Sequence, residues 1–212
     1  MKKRESELLM KVVIISLVVG ILAGGITAFS VMELNEKDKT STGELIKEFY
    51  EAENAVHVSP HGLRKHMGED SNIVIVDLRS QEEYEEEHII TAVNVPAYRD
   101  RDHSDYGAVE RIVSEFRTML TINPGTEFIV YCYSTPCMTG RKVGLMLAEH
   151  GIYVKHLGIG WNEWRYHWDT WNHYHEWEQT DVMDYVVSGS EPGEVYGVKV
   201  KDVCPVEGGL GC

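Results

Sequence analysis

The chain has 212 residues, which is enough for one ordinary domain with extensions and a sizeable core. Its 34 acidic residues outnumber its 20 lysines and arginines, so the formal net charge is −14. This balance argues against a general nucleic-acid binder, because such a protein needs a basic face. It also provides no long-range attraction for an anionic substrate, so any anion recognition must be local.

The N-terminal stretch 12–32 is the exception to this polar composition. Its 21 residues contain no charged side chain and follow the basic residues Lys2, Lys3, Arg4 and Lys11. As a helix, such a run spans roughly 30 Å and could cross a bilayer, with the N-terminus in the cytoplasm and the domain outside. A cleaved signal peptide, ending near residues 27–28, is the alternative, but the length of the run favours an uncleaved single-pass anchor.

These features predict five segments along the chain. They are a cytoplasmic N-terminus at 1–11, a transmembrane signal anchor at 12–32, a stalk at 33–53, a folded domain at 54–178 and a C-terminal extension at 179–212.

Short apolar runs alternate with helical patterns across the folded domain. The predicted strands are 56–59, 73–77, 93–96, 128–131 and 153–157. Two predicted helices follow the N-cap residues Ser59 and Ser80. Two others begin at Val109 and at Gly140. The alternation indicates an α/β fold with a parallel sheet and helices on both faces, and ligands of such sheets lie outside the carboxyl ends of the strands.

A thiol follows the fourth predicted strand, in the stretch FIVYCYSTPCMTGRKV. Cys132 ends the strand, and a loop then leads to the helix that opens at Gly140. Because a helix start presents free N–H groups and the positive end of a dipole, we expect Cys132 to ionise easily and to act as a nucleophile. The alternative is that Cys132 is only a small apolar residue at the end of a buried strand.

The segment 161–177 is rich in tryptophan and histidine. Trp161, Trp164, Trp168 and Trp171 fall at spacings of three and four, which predicts one stripe of a helix. Such a stripe usually packs on a core, but it could also bind a protein partner. The spacing of the histidines in this segment matches no standard zinc pattern, and the residues give no evidence for a metal or an organic cofactor.

Several motifs, in this order, resemble the rhodanese family. They are Asp77-Leu78-Arg79, Glu83-Tyr84, His88-Ile89, Ala92-Val93-Asn94-Val95-Pro96, Val130-Tyr131-Cys132, and Leu157-Gly158-Ile159-Gly160 with Trp161 and Trp164. The resemblance covers roughly residues 54–168. It implies a five-stranded parallel sheet and a sulfurtransferase in which Cys132, as a persulfide, moves sulfane sulfur from a small donor to a thiol acceptor or cyanide.

The resemblance also implies a substrate-binding loop at 133–140, whose N–H groups would stabilise the persulfide. Arg141 and Lys142 could hold an anionic donor, or each could be an ordinary solvated helix residue. The residues implied in substrate binding are Ser134, Thr135, Thr139, Gly140, Arg141 and Lys142.

The chain departs from the family pattern in three ways. Eight residues separate Cys132 from Arg141, whereas phosphatases of this fold have five, so phosphatase chemistry is disfavoured. Thr91 and Ile159 replace usual glycines, so we expect the local turns to differ. The loop also contains a second thiol, Cys137, which could resolve a persulfide on Cys132 as a disulfide or could simply fill the enlarged loop.

The four cysteines must be judged in an exported domain, where disulfides are permitted. A bridge between Cys204 and Cys212 could close the C-terminal extension.

Three functions remain open: a sulfurtransferase, a thiol–disulfide redox protein that uses Cys132 and Cys137, and a non-catalytic interaction subunit of a membrane complex.

Overall fold

The computed structural model describes residues 9–22, 24–25, 41–67 and 72–195. Residues 9–22 are helical, and α1 is Thr42–Val56. Within the described ranges, no helix combines the length and the apolar character that a membrane crossing requires. The predicted anchor at 12–32 includes residue 23 and residues 26–32, which lie outside the described ranges, as do Cys204 and Cys212.

A five-stranded parallel sheet forms the centre of the domain, as predicted. Its strands are β1 His57–Val58, β2 Ile73–Asp77, β4 Val93–Asn94, β7 Glu127–Tyr131 and β8 Val154–Leu157. They lie in the order β1, β8, β7, β2, β4. Strand β7 is therefore central, with β2 and β8 as its neighbours, and Cys132 follows it directly.

Helices connect these strands and cover both faces of the sheet. They are α2 Pro60–His66, α3 Gln81–Glu86, α4 Val109–Ile122, α5 Thr139–Glu149, α6 Trp161–Tyr166 and α7 Trp168–Trp171. The two predicted serine caps are confirmed, because Ser59 accepts a hydrogen bond from the N–H of Gly62 and Ser80 accepts one from the N–H of Glu83. Each cap therefore fixes where the chain leaves a strand end and enters a helix.

The alternation of side chains along β2 and β7 produces two hydrophobic cores. Ile75, Ile129 and Tyr131 face the core that contains the tryptophans and α2. Val130 and Cys132 face the opposite core, which is formed mainly with α4 and α5. The thiol of Cys132 thus belongs to the layer between the sheet and α5.

Two small antiparallel sheets supplement the main one. Strands β5 Tyr98–Asp100 and β6 His103–Ser104 pair with each other, and β3 His88–Ile89 pairs with β9 Val186–Val187. The sequence has no convincing period after Asp181, yet a 3-10 helix at Val182–Tyr185 precedes β9 and buries Tyr185 in the tryptophan-containing core. The described part of the predicted C-terminal extension therefore packs on the domain.

The turn at Thr91 has a backbone conformation that is usual for glycine. Thr91 has φ 69°, in the left-handed region that glycine adopts without strain. Its N–H donates to the carbonyl oxygen of Pro192 at 2.5 Å, in the segment after β9. Threonine takes a glycine-like conformation at this turn at a cost in strain, and the expectation that the turn differs from that of the family stays a prediction.

Candidate active site

Cys132 lies at the carboxyl edge of the sheet, directly after β7. Its side chain is 2% exposed. Its carbonyl oxygen accepts a hydrogen bond from the N–H of Trp161 at 2.8 Å, and the N–H of Asn162 donates to Tyr133 at 2.8 Å. The start of α6 therefore holds the beginning of the cysteine loop, which we define as residues 132–138.

Glu163, also in α6, fixes the same loop through Thr135. Its carboxylate accepts from the N–H of Gly160 at 3.0 Å and from the N–H of Thr135 at 3.2 Å. At Gly160 a Cβ atom would lie 2.2 Å from the backbone nitrogen of Ser134, so only glycine allows this close approach. The loop is consequently packed against the start of α6 along its backbone.

Cys137 occupies the end of the loop, two residues before α5 begins at Thr139. Its Sγ lies 3.2 Å from the Sγ of Cys132, a hydrogen-bonding contact, and both thiols are free. Cys137 is partly exposed, whereas Cys132 is buried. The structure therefore places two thiols in contact, with Cys137 nearer to the solvent and to the helix start.

The pKa values of the two thiols are shifted in opposite directions. The hydrogen bond with Cys137, together with burial, raises the pKa of Cys132 far above its ordinary value. The hydrogen bond from Cys132, together with contacts to Thr139 and the N–H of Tyr133, lowers the pKa of Cys137 to about 5. The expectation that Cys132 ionises easily is wrong, because α5 begins next to Cys137 and leaves Cys132 at a desolvated strand end.

A family model for the rhodanese-like domain matches residues 59–167, just over half of the chain. The chain belongs to the rhodanese-like domain family. No curated protein matches it significantly. Similar solved structures include the BH2092 protein of Bacillus halodurans, with 22% identity over 58% of this chain and 81% of that one at a TM-score of 0.43.

Two further solved structures show the same kind of likeness. A full-length protein from Lactobacillus plantarum is 14% identical over 58% of this chain and 92% of that one, with a TM-score of 0.44. A rhodanese with anions from E. coli is 21% identical over 42% of this chain and 86% of that one, with a TM-score of 0.29.

Both cations that the resemblance implied in donor binding have partners in this rhodanese-like domain. Arg141 donates to the carbonyl oxygens of Thr135 and Cys137, each at 3.2 Å. Lys142 lies 3.3 Å from the hydroxyl of Tyr106 and 4.8 Å from its ring centroid. Arg141 therefore braces the cysteine loop, while Lys142 contacts the segment before α4.

The other implied substrate-binding residues act mainly through their backbones or their packing. Ser134 accepts from the N–H of Cys137 at 2.9 Å, and the hydroxyl of Thr139 bonds the hydroxyl of Tyr98 at 2.8 Å. At Gly140 a Cβ atom would lie 2.3 Å from Nε2 of His156, so this glycine lets α5 approach β8. Of these residues, Thr139 also hydrogen-bonds to Cys137.

Sequence reasoning missed three groups around the rhodanese-like site. Tyr98 and His156 approach the start of α5, and burial lowers the pKa of His156. The hydroxyl of Tyr133 donates to Glu83, whose side chain also accepts from Ser80 at 2.7 Å. Their spacing in the chain carries no signal, because separate strands and helices bring them to the loop.

The buried core beneath the site contains an ion pair. Asp77 and Arg79 are 2.6 Å apart, and Tyr131 donates to the same carboxylate at 2.6 Å. The Arg79 guanidinium lies 4.2 Å from the ring centroid of Trp161. These contacts join β2, β7 and α6, so this part of the family motif supports the loop from below.

The tryptophan-rich segment is not one helix. It divides into α6, α7 and a 3-10 helix at Tyr174–Glu176, and its tryptophans at 161, 164 and 168 are buried. The tryptophan stripe therefore packs mainly on the core. Tyr166, Tyr174 and Trp177 are exposed, and the predicted partner surface would include them.

One largely buried cluster has the composition of a metal site. Ligand atoms of His61, His173 and Glu176 lie within 4.8 Å of one another. However, Arg64 donates to Glu176 at 2.6 Å, and His61 contacts the same carboxylate oxygen at 2.9 Å. The guanidinium already neutralises the carboxylate and would repel a cation, so the cluster fits a structural ion pair better than a metal centre.

Proposed function

We propose that the protein is a membrane-anchored rhodanese-type sulfurtransferase that carries sulfane sulfur as a cysteine persulfide in the cysteine loop. The observation that carries the proposal is the position of Cys132 at the end of the central strand of a rhodanese-like domain, in contact with Cys137. Carboxyl strand ends are where parallel sheets bind ligands. The resemblance assigns the persulfide to Cys132.

The surroundings of the thiol pair suit sulfur chemistry. A thiolate in this loop attacks the sulfane sulfur of a donor such as thiosulfate, a new S–S bond forms, and sulfite leaves with the electron pair. Backbone groups of Tyr133 and Thr139 stabilise negative charge on the sulfur of Cys137. An acceptor thiolate or cyanide then takes the outer sulfur and restores the thiolate.

The anchored, extracytoplasmic location is part of the proposal and rests on the sequence. The uncharged stretch 12–32 follows four basic residues, which favours an N-terminus in the cytoplasm. A topology reporter fused after residue 195 should report the outer side of the membrane. A reporter signal from the cytoplasm would reject this location without affecting the sulfur chemistry.

A second function, thiol–disulfide exchange, is supported by the distance of 3.2 Å between the two sulfur atoms. A disulfide bond is about 2.05 Å long, so the pair needs only a small movement to close. In this reaction the pair is oxidised by a partner disulfide and gains no sulfur. The mass change of the protein therefore distinguishes the two functions.

Intact-mass spectrometry of the full chain in detergent, after brief exposure to thiosulfate or polysulfide, tests the proposal. Sulfur transfer predicts a gain of one sulfur by the wild type, loss of that sulfur to cyanide as thiocyanate, and no gain in the double variant Cys132→Ser/Cys137→Ser. Oxidised glutathione is the parallel probe for disulfide exchange, because it is reduced while the thiol pair loses two hydrogens. No sulfur uptake from thiosulfate or polysulfide, together with that loss of two hydrogens on oxidised glutathione, would support disulfide exchange. An unchanged wild-type mass with all of these reagents would reject both functions.

A further inference from the structure

We propose that Cys137, rather than Cys132, is the nucleophile that takes the sulfane sulfur, and that Cys132 is the buried thiol that resolves the resulting persulfide. This assignment deepens the proposed sulfur transfer and rests on it. It reverses the order that the family resemblance gives to the two cysteines.

Access to the donor is the first argument. Cys132 is 2% exposed and lies in the core between the sheet and α5, while Cys137 is partly exposed. The contact of 3.2 Å places the sulfur of Cys137 against that of Cys132. A donor from solvent therefore meets Cys137 before it can reach Cys132.

The position of Cys137 is the second argument. Cys137 lies two residues before an eleven-residue helix, where free N–H groups and the helix dipole stabilise a thiolate. Arg141, in the first turn of that helix, binds the carbonyl oxygen of Cys137 at 3.2 Å and holds the residue in place. Once Cys137 has lost its proton, the S–H of Cys132 is the donor across the 3.2 Å contact and stabilises the thiolate.

The acidities of the two thiols agree with this division of roles. The pKa of Cys137 is lowered to about 5, and that of Cys132 is raised by its hydrogen bond with Cys137 and by burial. Ionisation alone does not decide the rate, because a less basic thiolate is also a weaker nucleophile. Exposure and ionisation together select Cys137 as the sulfur that meets the donor.

The reaction balances in three steps. The Cys137 thiolate attacks the sulfane sulfur of thiosulfate, whose S–S bond breaks, and sulfite leaves with the electron pair. Cys132 then attacks Sγ of Cys137, and the outer sulfur leaves as hydrosulfide with the proton of the Cys132 thiol. The pair is thereby oxidised to a disulfide while the sulfane sulfur is reduced, and two molecules of an external thiol reopen the disulfide and become a disulfide themselves.

Time-resolved intact-mass spectrometry with thiosulfate as the donor tests the assignment in the full chain. The wild type should gain one sulfur transiently and then lose two hydrogens as hydrosulfide appears. Cys132→Ser should gain one sulfur that persists on Cys137, located by peptide mapping. Cys137→Ser should take up sulfur at least about tenfold more slowly, because Cys132 is shielded.

The matched control is Cys204→Ser/Cys212→Ser, which removes two cysteines outside the loop and should behave as the wild type. Fluorescence melting curves check that each variant is folded. As a measurement without a variant, iodoacetamide should modify Cys137 of the folded wild type before Cys132.

The assignment would be overturned if Cys137→Ser took up sulfur at the wild-type rate and Cys132→Ser took up none. The proposed sulfurtransferase function would still stand in that case. A persistent persulfide in the wild type, with no disulfide, would overturn the resolving role of Cys132. Absence of sulfur uptake by the wild type would instead reject the proposed function itself.

Discussion

Cys137 and Cys132 lie five positions apart in the chain, and their sulfur atoms are 3.2 Å apart in the fold. The strand end holds one thiol in the core, while the loop returns the other to the start of α5. The contact couples their ionisation, so that one proton leaves easily and the other does not.

The pH dependence of thiol alkylation should follow this coupling. We expect Cys137 to react with iodoacetamide with an apparent pKa near 5, below the ordinary thiol value of about 8.5. Replacement of Cys132 by alanine removes the S–H donor and should shift the midpoint upward. Alkylation rates measured between pH 4 and about pH 10, with mass mapping of the site, provide the test. A midpoint that is equal in both proteins would contradict the coupling.

The same pair should make stability depend on pH in two opposite ranges. The lowered pKa of Cys137 stabilises the fold above the unfolded thiol value of about 8.5, and this contribution is lost as the pH falls toward about 5. The raised pKa of Cys132 stabilises the fold below about 8.5, and this contribution is lost at higher pH.

The pair's contribution should therefore peak near pH 8.5, roughly the unfolded thiol value. Urea unfolding of the wild type and of Cys132→Ala/Cys137→Ala across this range would reveal the peak as the difference between two curves. A difference that does not change with pH would contradict the expected linkage.

Gly160 should be needed for the packing of the cysteine loop against the start of α6. Gly160→Ala places a Cβ atom 2.2 Å from the backbone nitrogen of Ser134, so the loop must move. We expect a loss of about 1–3 kcal/mol in the free energy of unfolding and slower sulfur uptake. Gly144→Ala is the control, since its nearest contact would be an ordinary 3.6 Å to Val154. Equal stability of the two variants would contradict the close approach.

Glu176 should be needed for stability through its buried pair with Arg64. The two side chains are 8% and 1% exposed, so Glu176→Gln leaves a buried guanidinium without a charged partner. We expect a loss of about 3–5 kcal/mol in urea unfolding. The nearby exposed Glu178→Gln should change stability little, and a similar small effect at Glu176 would show that Arg64 is stabilised by other groups.

Thr91→Gly should stabilise the protein by about 1 kcal/mol, because glycine adopts the positive φ of 69° without strain. Part of the gain is offset by the larger conformational entropy of glycine in the unfolded state. Thr91→Ala retains a Cβ atom and should stabilise less. Urea unfolding midpoints of the wild type and the two variants provide the test. A glycine variant that is less stable than the wild type would contradict strain at this turn.

The sequence by itself determined where the central strands and two of the helices begin, but not the order of the strands in the sheet. The apolar run of β2 and the run that ends at Cys132 predicted buried parallel strands, because both faces of such strands lie in a core. Ser59 and Ser80 predicted helix starts, because capping depends on residues only a few positions apart. Local patterns therefore fixed these elements and the position of the thiol at a strand end.

Only the tertiary structure decided which thiol ionises and which residues form the site. Burial and the 3.2 Å contact set the acidities of Cys132 and Cys137, and neither can be derived from their spacing. Glu163 holds the loop from a helix 28 positions away from Thr135. Sequence patterns report the neighbours of a residue along the chain, whereas desolvation and hydrogen bonding depend on neighbours in space.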